Sequence, residues 1–349
     1  MGSAQDLAGS SWRLLKNDGA VVAPVVVLRP DGGIGGVEEA IARGWTLRDG
    51  RLAVLDGDGV ATLLFSLPAA GPADRLRGWV AGAEGTIVRL ERVAFPSALA
   101  APPPVLPAPV FVDRTARRRD HLVVLRAGTG SLHPTWTADL DDADRNWDLC
   151  VSWYDDAEPD PNAPCEYLTV QREVRKLTAI REIFAHRPDF ADYRYVWLPD
   201  DDLAVSRRAI NRLFEICRRN HLDLAQPALD EASHVSHAVT RRDPRFALRF
   251  TNFVEVMCPV FSAPALATCL DTFPTTLTSW GLDAVWPSLV GAGGTRIGIV
   301  DAVTVTHTRP VGGGYDMSSA FAEMNGLLAA WGKKLAPVVY GGISAGAPV

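Results

Sequence analysis

A proline- and alanine-rich stretch, FPSALAAPPPVLPAP at 95–109, separates two regions of different periodicity in this 349-residue chain. Consecutive prolines favour an extended polyproline path, which makes a semi-rigid spacer rather than a packed element. The spacer continues through a basic run at 114–119. We therefore expect three segments: an all-β module at 1–94, a linker at 95–119, and an α/β domain at 120–349. A chain of this length suits about two domains of roughly 150 residues each.

Before the spacer, short apolar runs alternate with turn signals. The runs include Trp12–Leu15, Val21–Leu28, Leu52–Leu55, Ala61–Leu67 and Thr86–Leu90. Asp31-Gly32-Gly33, Asp49-Gly50 and Asp56-Gly57-Asp58-Gly59 lie between them. Asp-Gly between apolar runs marks hairpins, because type I′ turns need positive φ. About seven strands in some 85 residues suggest a small antiparallel barrel or sandwich. Only Val37–Ala42 reads as a helical turn. Trp45 and Trp79 either hold glycan or form the module's core, and core is the simpler reading.

After the spacer, strands alternate with helices, which implies a mainly parallel sheet. HLVVLR at 121–126 and WDLCVSW at 147–153 are runs suited to strands buried on both faces. Apolar residues at Val170, Val174, Leu177, Ile180 and Phe184 recur at helical spacing, so 167–184 reads as a helix. Tyr193–Leu198 reads as a strand, and Ser206 can N-cap the next helix. Leu222–Gln226, Phe253–Phe261 and Ile297–His307 read as further strands.

The charge of −6 argues against a protein that lives on nucleic-acid phosphate. No apolar run reaches membrane-spanning length, and Met1–Ser11 has no signal-peptide pattern. Five cysteines without a C-x-x-C pair indicate neither a zinc knuckle nor a disulfide framework. A reducing, cytoplasmic compartment is expected.

Asp200-Asp201-Asp202 follows directly on an apolar strand. Open α/β sheets bind ligands beyond the carboxyl ends of their strands. Adjacent carboxylates repel unless a cation screens them, and hard divalent metals choose carboxylate and phosphate oxygens. A D-x-D spacing lets two carboxylates reach one metal–diphosphate unit. The competing reading is a solvated acidic turn before a helix. His307 ends the last strand, on the face of Val303 and Val305, and Arg309 follows at a Gly-rich loop, 312–314. His307 is either a third metal ligand or a satisfied strand-end histidine; Arg309 could neutralise phosphate.

Asp283 stands between Trp280 and Trp286. A carboxyl among indole rings suits a general base, and the rings suit sugar faces; a helix-start Asp beside core tryptophans is the alternative. Glu255, inside FVEVMCPVF, is either functional or a buried charge with a partner. Arg126, Gly128 and Ser131 belong to a strand-to-loop segment that could receive a nucleotide, with Tyr154 and Asp155 beside base or ribose. Its G-x-G lacks the third glycine of a dinucleotide fingerprint. Gly342–Gly346 matches G-x-S-x-G, but no helix or later histidine follows, which excludes a nucleophile elbow.

The phrases RAGTGSLHPTW, NWDL, YVWLPDDDL, LAQPAL, TNFVEVMCPVFS, GLDAVWP and DAVTVTHTRPVGGGY resemble an uncharacterised family of plants and bacteria. Its plant members are labelled trans-splicing-related. The order of these motifs is also similar to the GT-A fold of nucleotide-sugar glycosyltransferases, a Rossmann-type mixed sheet with flanking helices. That resemblance implies Mn²⁺ or Mg²⁺ on Asp200, Asp202 and His307. It places Asp200, Asp201, Arg126, Gly128, Ser131, Asp155 and Arg309 around the donor, Asp283 or Glu255 as the base, and Trp280 and Trp286 at the acceptor. The triplet leaves open which two aspartates form the D-x-D pair, and Gly-Leu-Asp departs from the usual Glu-Asp pair.

The expected function is therefore transfer of a sugar from a nucleotide-diphosphate donor, a UDP-sugar first, to a glycan or other hydroxyl acceptor, in bacterial surface polysaccharide synthesis. A lipid-linked acceptor or partner would bring the protein to a membrane surface. The rival readings are a sugar-phosphate nucleotidyltransferase, disfavoured because AGTGSLHPTW lacks Lys and Arg, and a glycan-binding protein with a degenerate site.

Overall fold

A computed structural model describes residues 4–37, 42–68, 74–99, 108–114, 118–137, 141–160, 163–291, 294–310 and 316–349. The proline-rich run at 100–107, most of the 37–42 turn and the 312–314 loop lie outside the described residues. The chain is a mixed α/β protein with two large sheets and a few helices.

The first sheet has eight antiparallel strands: β1 Ser11–Lys16, β2 Val21–Leu28, β3 Ile34–Gly35, β4 Gly44–Arg48, β5 Arg51–Leu55, β6 Ala61–Ser66, β7 Arg75–Val80 and β8 Ala83–Arg92. Their order is β3-β2-β1-β8-β7-β6-β5-β4. A bridge between Gly33 and Gly44 joins the two edges, so the sheet closes on itself as a barrel. Trp12, Leu52 and Phe65 fill it, and Trp45 is buried with its indole donating to Arg29 O. Trp79 is half-buried under the Arg51 guanidinium.

The second sheet contains β9 Phe111–Asp113, β10 His121–Ala127, β11 Trp147–Trp153, β12 Tyr167–Val170, β13 Tyr195–Trp197, β14 Leu203–Ala204, β15 Leu224–Leu229, β16 Phe246–Thr251, β17 Val260–Ser262, β18 Ile297–His307 and β19 Val339–Ser344. Its order is β19-β16-β18-β15-β17-β13-β10-β11-β12-β9, with β14 paired on β18. β10 runs parallel to both β11 and β13, and every residue of β10 and β11 is buried. Their carboxyl ends therefore open at one edge, beside the acidic triplet.

The helices are α1 Ala4–Leu7, α2 Lys176–His186, α3 Arg207–Arg219, α4 Ala263–Cys269, α5 Leu282–Val290 and α6 Met317–Trp331. Ser206 caps α3 by accepting from Ala209 N at 3.3 Å, as its position predicts. Among the described residues no helix is long and apolar enough to cross a membrane. All five cysteines are buried thiols.

Two expected elements change. The helix expected over 167–184 begins only at Lys176, because Tyr167–Val170 is drawn into the ladder beside β11. The strand expected over 253–261 shrinks to β17. Its first part is irregular, because side chains satisfy the backbone there: Phe253 N donates to Thr251 Oγ1, and Glu255 N to Gln226 Oε1.

The two sheets share a core. Val25 and Val27 of β2 pack with Leu289 of α5 and with Leu327 and Trp331 of α6. Arg29 donates to Val290 O at 2.7 Å, and Gly36 N to Ser288 O at 2.8 Å. The approach needs a glycine at Gly35, where a Cβ would stand 2.1 Å from Leu289 O. Gly35→Ala is expected to lower stability by about 1–3 kcal/mol through overpacking. Gly85→Ala, with open space at its Cβ, should stay within about 0.5 kcal/mol. Denaturant midpoints of the two variants check the docking.

Candidate active site

The triplet is stitched to three segments. Asp200 N donates to Met257 O at 2.8 Å, Asp201 O accepts from Leu132 N at 2.7 Å, and Asp202 O accepts from Thr308 N at 3.1 Å. The β14–β18 pairing sets Leu203 opposite His307 and so brings Asp202 beside that histidine.

Successive side chains then leave in different directions, and each carboxylate meets a different partner: Lys176, Arg309 or His307. Lys176 Nζ stands 2.5 Å from Asp200 Oδ1 and also donates to Val256 O and Met257 O. Arg309 donates to Asp201 Oδ1 at 3.1 Å, while the Tyr154 hydroxyl donates to Oδ2 at 3.0 Å. His307 Nε2 is 3.3 Å from Asp202 Oδ2. Burial pushes the Asp201 carboxyl up against the pull of Arg309 and Tyr154. Burial acts the same way on Asp202, but His307 and Arg309 outweigh it and hold that carboxyl below its ordinary value.

Asp200, Asp202 and His307 line one cavity of about 640 Å³, whereas Asp201 turns away from it. His307 Nδ1 lies 2.8 Å from His234 O. A carbonyl only accepts, so Nδ1 carries a hydrogen and Nε2 is aimed at Asp202. A backbone carbonyl orienting the far nitrogen is the usual support of a metal-binding histidine. Asp202 Oδ1 is buried without a hydrogen-bond partner. Among the described residues no group of three His, Cys, Asp or Glu forms a ready metal site. Asp202 and His307 nevertheless fit two positions around a hard cation, which commonly takes its other oxygens from water and phosphate.

Glu255 and Asp283 face the same cavity from the irregular 253–257 segment and the first turn of α5. Burial raises both carboxyls to about 7, and for Glu255 the nearby Asp283 charge adds to the rise. Glu255 Oε2 and Asp283 Oδ1 have no partner. His237 Nε2 is 4.0 Å from Asp283 Oδ2, and burial lowers the basicity of that ring, which leans on Phe253.

A raised carboxyl favours the folded state while protonated. Its stabilising effect is full below the ordinary carboxyl range and fades as pH rises through about 7. Glu255→Gln should therefore match the wild type near pH 4 and exceed it at pH 8, by about 3 kcal/mol. Urea midpoints at the two pH values test this.

The remaining candidates divide. Arg126 is buried, with its guanidinium consumed by Ser152 Oγ, Gln171 O and Val174 O, so it braces strands under Tyr154 instead of facing the cavity. Gly128 lies against the Tyr154 ring, where a Cβ would come within 2.7 Å. Ser131 Oγ bonds His133 Nδ1, and Asp155 accepts from Thr129 N, so the 128–131 loop is already held. Arg309 reinforces it through Gly130 O. Trp280 lines the cavity, but Trp286 does not. Its ring is fully buried against Phe261 and Phe273, and its indole donates to Thr272 Oγ1. The acceptor role expected for Trp286 thus meets a core residue. Lys176 and His237 went unnoticed in the sequence. Lys176 reads there as one more polar residue beside a helix stripe, and His237 has no motif around it.

Residues 179–250, which include the triplet, match the model of a family described as a protein of unknown function, DUF707. No curated protein matches the chain. Among solved structures, a psychrophilic marine protease MP inhibitor is 18% identical over 26% of this chain and 97% of its own, with a TM-score of 0.21. S. aureus TarS is 10% identical over 53% of this chain and 36% of that one, with a TM-score of 0.34. TarS residues 1–349 are 9% identical over 60% and 71%, with a TM-score of 0.32. The chain thus spans about a third of the longer TarS chain. Likenesses this shallow carry no argument about activity.

Proposed function

We propose that the cavity is the active site of a glycosyltransferase with a GT-A-like arrangement, acting on a nucleotide-diphosphate sugar. One observation carries the reading: Asp202 and a carbonyl-oriented His307 share a cavity with two carboxyls, Glu255 and Asp283, whose proton affinities are raised to about 7. A bound Mn²⁺ or Mg²⁺ would neutralise the diphosphate leaving group. Asp202 and His307 would hold it, and Lys176 would give the phosphates a further positive neighbour.

Near neutral pH both carboxyls exchange protons readily, because burial raises each to about 7, and the Asp283 charge favours keeping the proton on Glu255. The ionised member, Asp283 in this reading, takes the acceptor's hydroxyl proton as the acceptor oxygen bonds to the sugar carbon. The bond from that carbon to the diphosphate breaks, and its electron pair leaves with the phosphate. A carboxyl near 7 suits this exchange at neutral pH. A direct displacement of this kind inverts the anomeric centre.

A thermal-shift screen tests the reading. UDP or another nucleoside diphosphate should raise the melting temperature with Mn²⁺ and much less without it, since a ligand of the native state stabilises by mass action. Release of free nucleotide from the matching sugar donor should accompany it. Absence of both for UDP-, GDP-, ADP- and CDP-activated sugars would refute the proposal.

A further inference from the structure

Resting on the sugar-transfer reading of the cavity, we propose that its acceptor is a long-chain alcohol whose apolar body lies on the cavity's rim, and not a polyhydroxylated glycan. Beside Asp200, Asp202, Glu255, Asp283 and His307, the cavity is lined by the apolar side chains of Leu277, Trp280, Met317, Phe321, Met324 and Leu335, with the hydroxyls of Thr278 and Ser279 between the first two. Leu277, Met317 and Phe321 are 52%, 38% and 48% exposed, so a row of apolar side chains faces water beside buried carboxyls. Contiguous exposed apolar surface around a cleft marks a ligand groove more often than a solvated face.

The rim is built and held. Glu323 of α6 accepts from Leu277 N, from Thr278 N at 3.0 Å and from Thr278 Oγ1 at 2.6 Å, which pins the 277–278 segment onto the helix. Ser279 takes φ +70, an uncommon backbone state for a residue with a side chain. Gly281 takes φ +93, and a Cβ there would lie 3.3 Å from Met324 and Leu327. The Phe321 ring meets Trp280 edge-on at 5.1 Å. A segment fixed in this way presents Leu277 and Phe321 outward as part of its structure.

The chemistry of the two acceptor classes differs at this rim. A buried sugar hydroxyl needs a hydrogen-bond partner, and leaving one unmade costs free energy. The side chains of Leu277, Met317, Phe321 and Met324 end in methyl, thioether or ring-carbon groups, which supply no strong partner. An alkyl chain gains there by leaving water. With the chain on the rim, a terminal hydroxyl enters toward Asp283.

The test uses 1-octanol, 4-methoxybenzyl alcohol and maltotriose as probes, read by saturation-transfer NMR on the full chain. Octanol should bind best, the aryl alcohol less well and maltotriose least. Phe321→Ser and Leu277→Ser, both at exposed positions, should each weaken octanol by about fivefold or more while the Mn²⁺–nucleotide thermal shift persists. Tighter binding of maltotriose, or octanol binding indifferent to both substitutions, overturns the proposal. Octanol bound at the rim without turnover of any sugar donor defeats the sugar-transfer reading and leaves the rim's ligand class standing. Turnover that places sugar on maltotriose but not on octanol does the reverse.

Discussion

On the proposed function, Asp202→Asn is expected to lower kcat/KM for sugar transfer by about 10²–10³, the cost typical of removing one preorganised electrostatic group. Asparagine keeps the size and one carbonyl oxygen but loses the charge. Its amide offers His307 Nε2, now 3.3 Å from Asp202 Oδ2, no anion to pair with. The buried Oδ1, which has no protein partner, also loses its negative character. A second readout separates this from misfolding: the Mn²⁺-dependent nucleotide thermal shift should vanish, while the variant without ligand still unfolds in a single cooperative transition. Asp201→Asn is the contrast. Its side chain faces Tyr154 and Arg309 outside the cavity, so the Mn²⁺ dependence should survive there. Equal loss of Mn²⁺ dependence in both variants would contradict the separate roles assigned to these neighbours.

Asp301→Asn is expected to destabilise the fold by about 3–5 kcal/mol, the cost of leaving one partner of a buried ion pair uncompensated. Arg249 grips Asp301 through two bonds, Nε to Oδ2 at 2.8 Å and a terminal nitrogen to Oδ1 at 2.9 Å. The two side chains are 6% and 0% exposed, so water cannot replace the lost charge. The same guanidinium donates to Val239 O and Arg241 O. It therefore fastens the stretch after His237, and with it the neighbourhood of the His234 carbonyl that orients His307. Partial loss of ligand response should accompany the lower melting temperature. Denaturant unfolding of the variant measures the first effect directly.

Much of the local structure was legible. Hairpins followed Asp-Gly turns, and 121–126 and 147–153 formed strands buried on both faces. The last strand ended at His307, and Ser206 capped its helix. The misreadings share a cause. Val170 sits at helical spacing from Val174, yet strand pairing beside β11 claimed it. The 253–257 segment has a strand's apolar composition, yet Gln226 and Thr251 took over its backbone bonds. In both cases a partner far along the chain outweighed the local preference.

Local pattern alone put the acidic triplet and His307 at strand ends and marked Glu255 and Asp283 as carboxyls in apolar surroundings. Periodicity and turn chemistry act over a few residues, so they place an element and its faces without naming what those faces meet. The packed fold alone sent the three aspartates apart, toward Lys176, Arg309 and His307. It also set His307 against the His234 carbonyl, buried Trp286 in the core, and opened the apolar rim beside Trp280. The physical reason is that charge pairing, desolvation and exposure depend on groups brought together across long stretches of chain. A carboxyl such as Asp283 acquires its raised proton affinity from burial by those distant elements, and no local pattern encodes it.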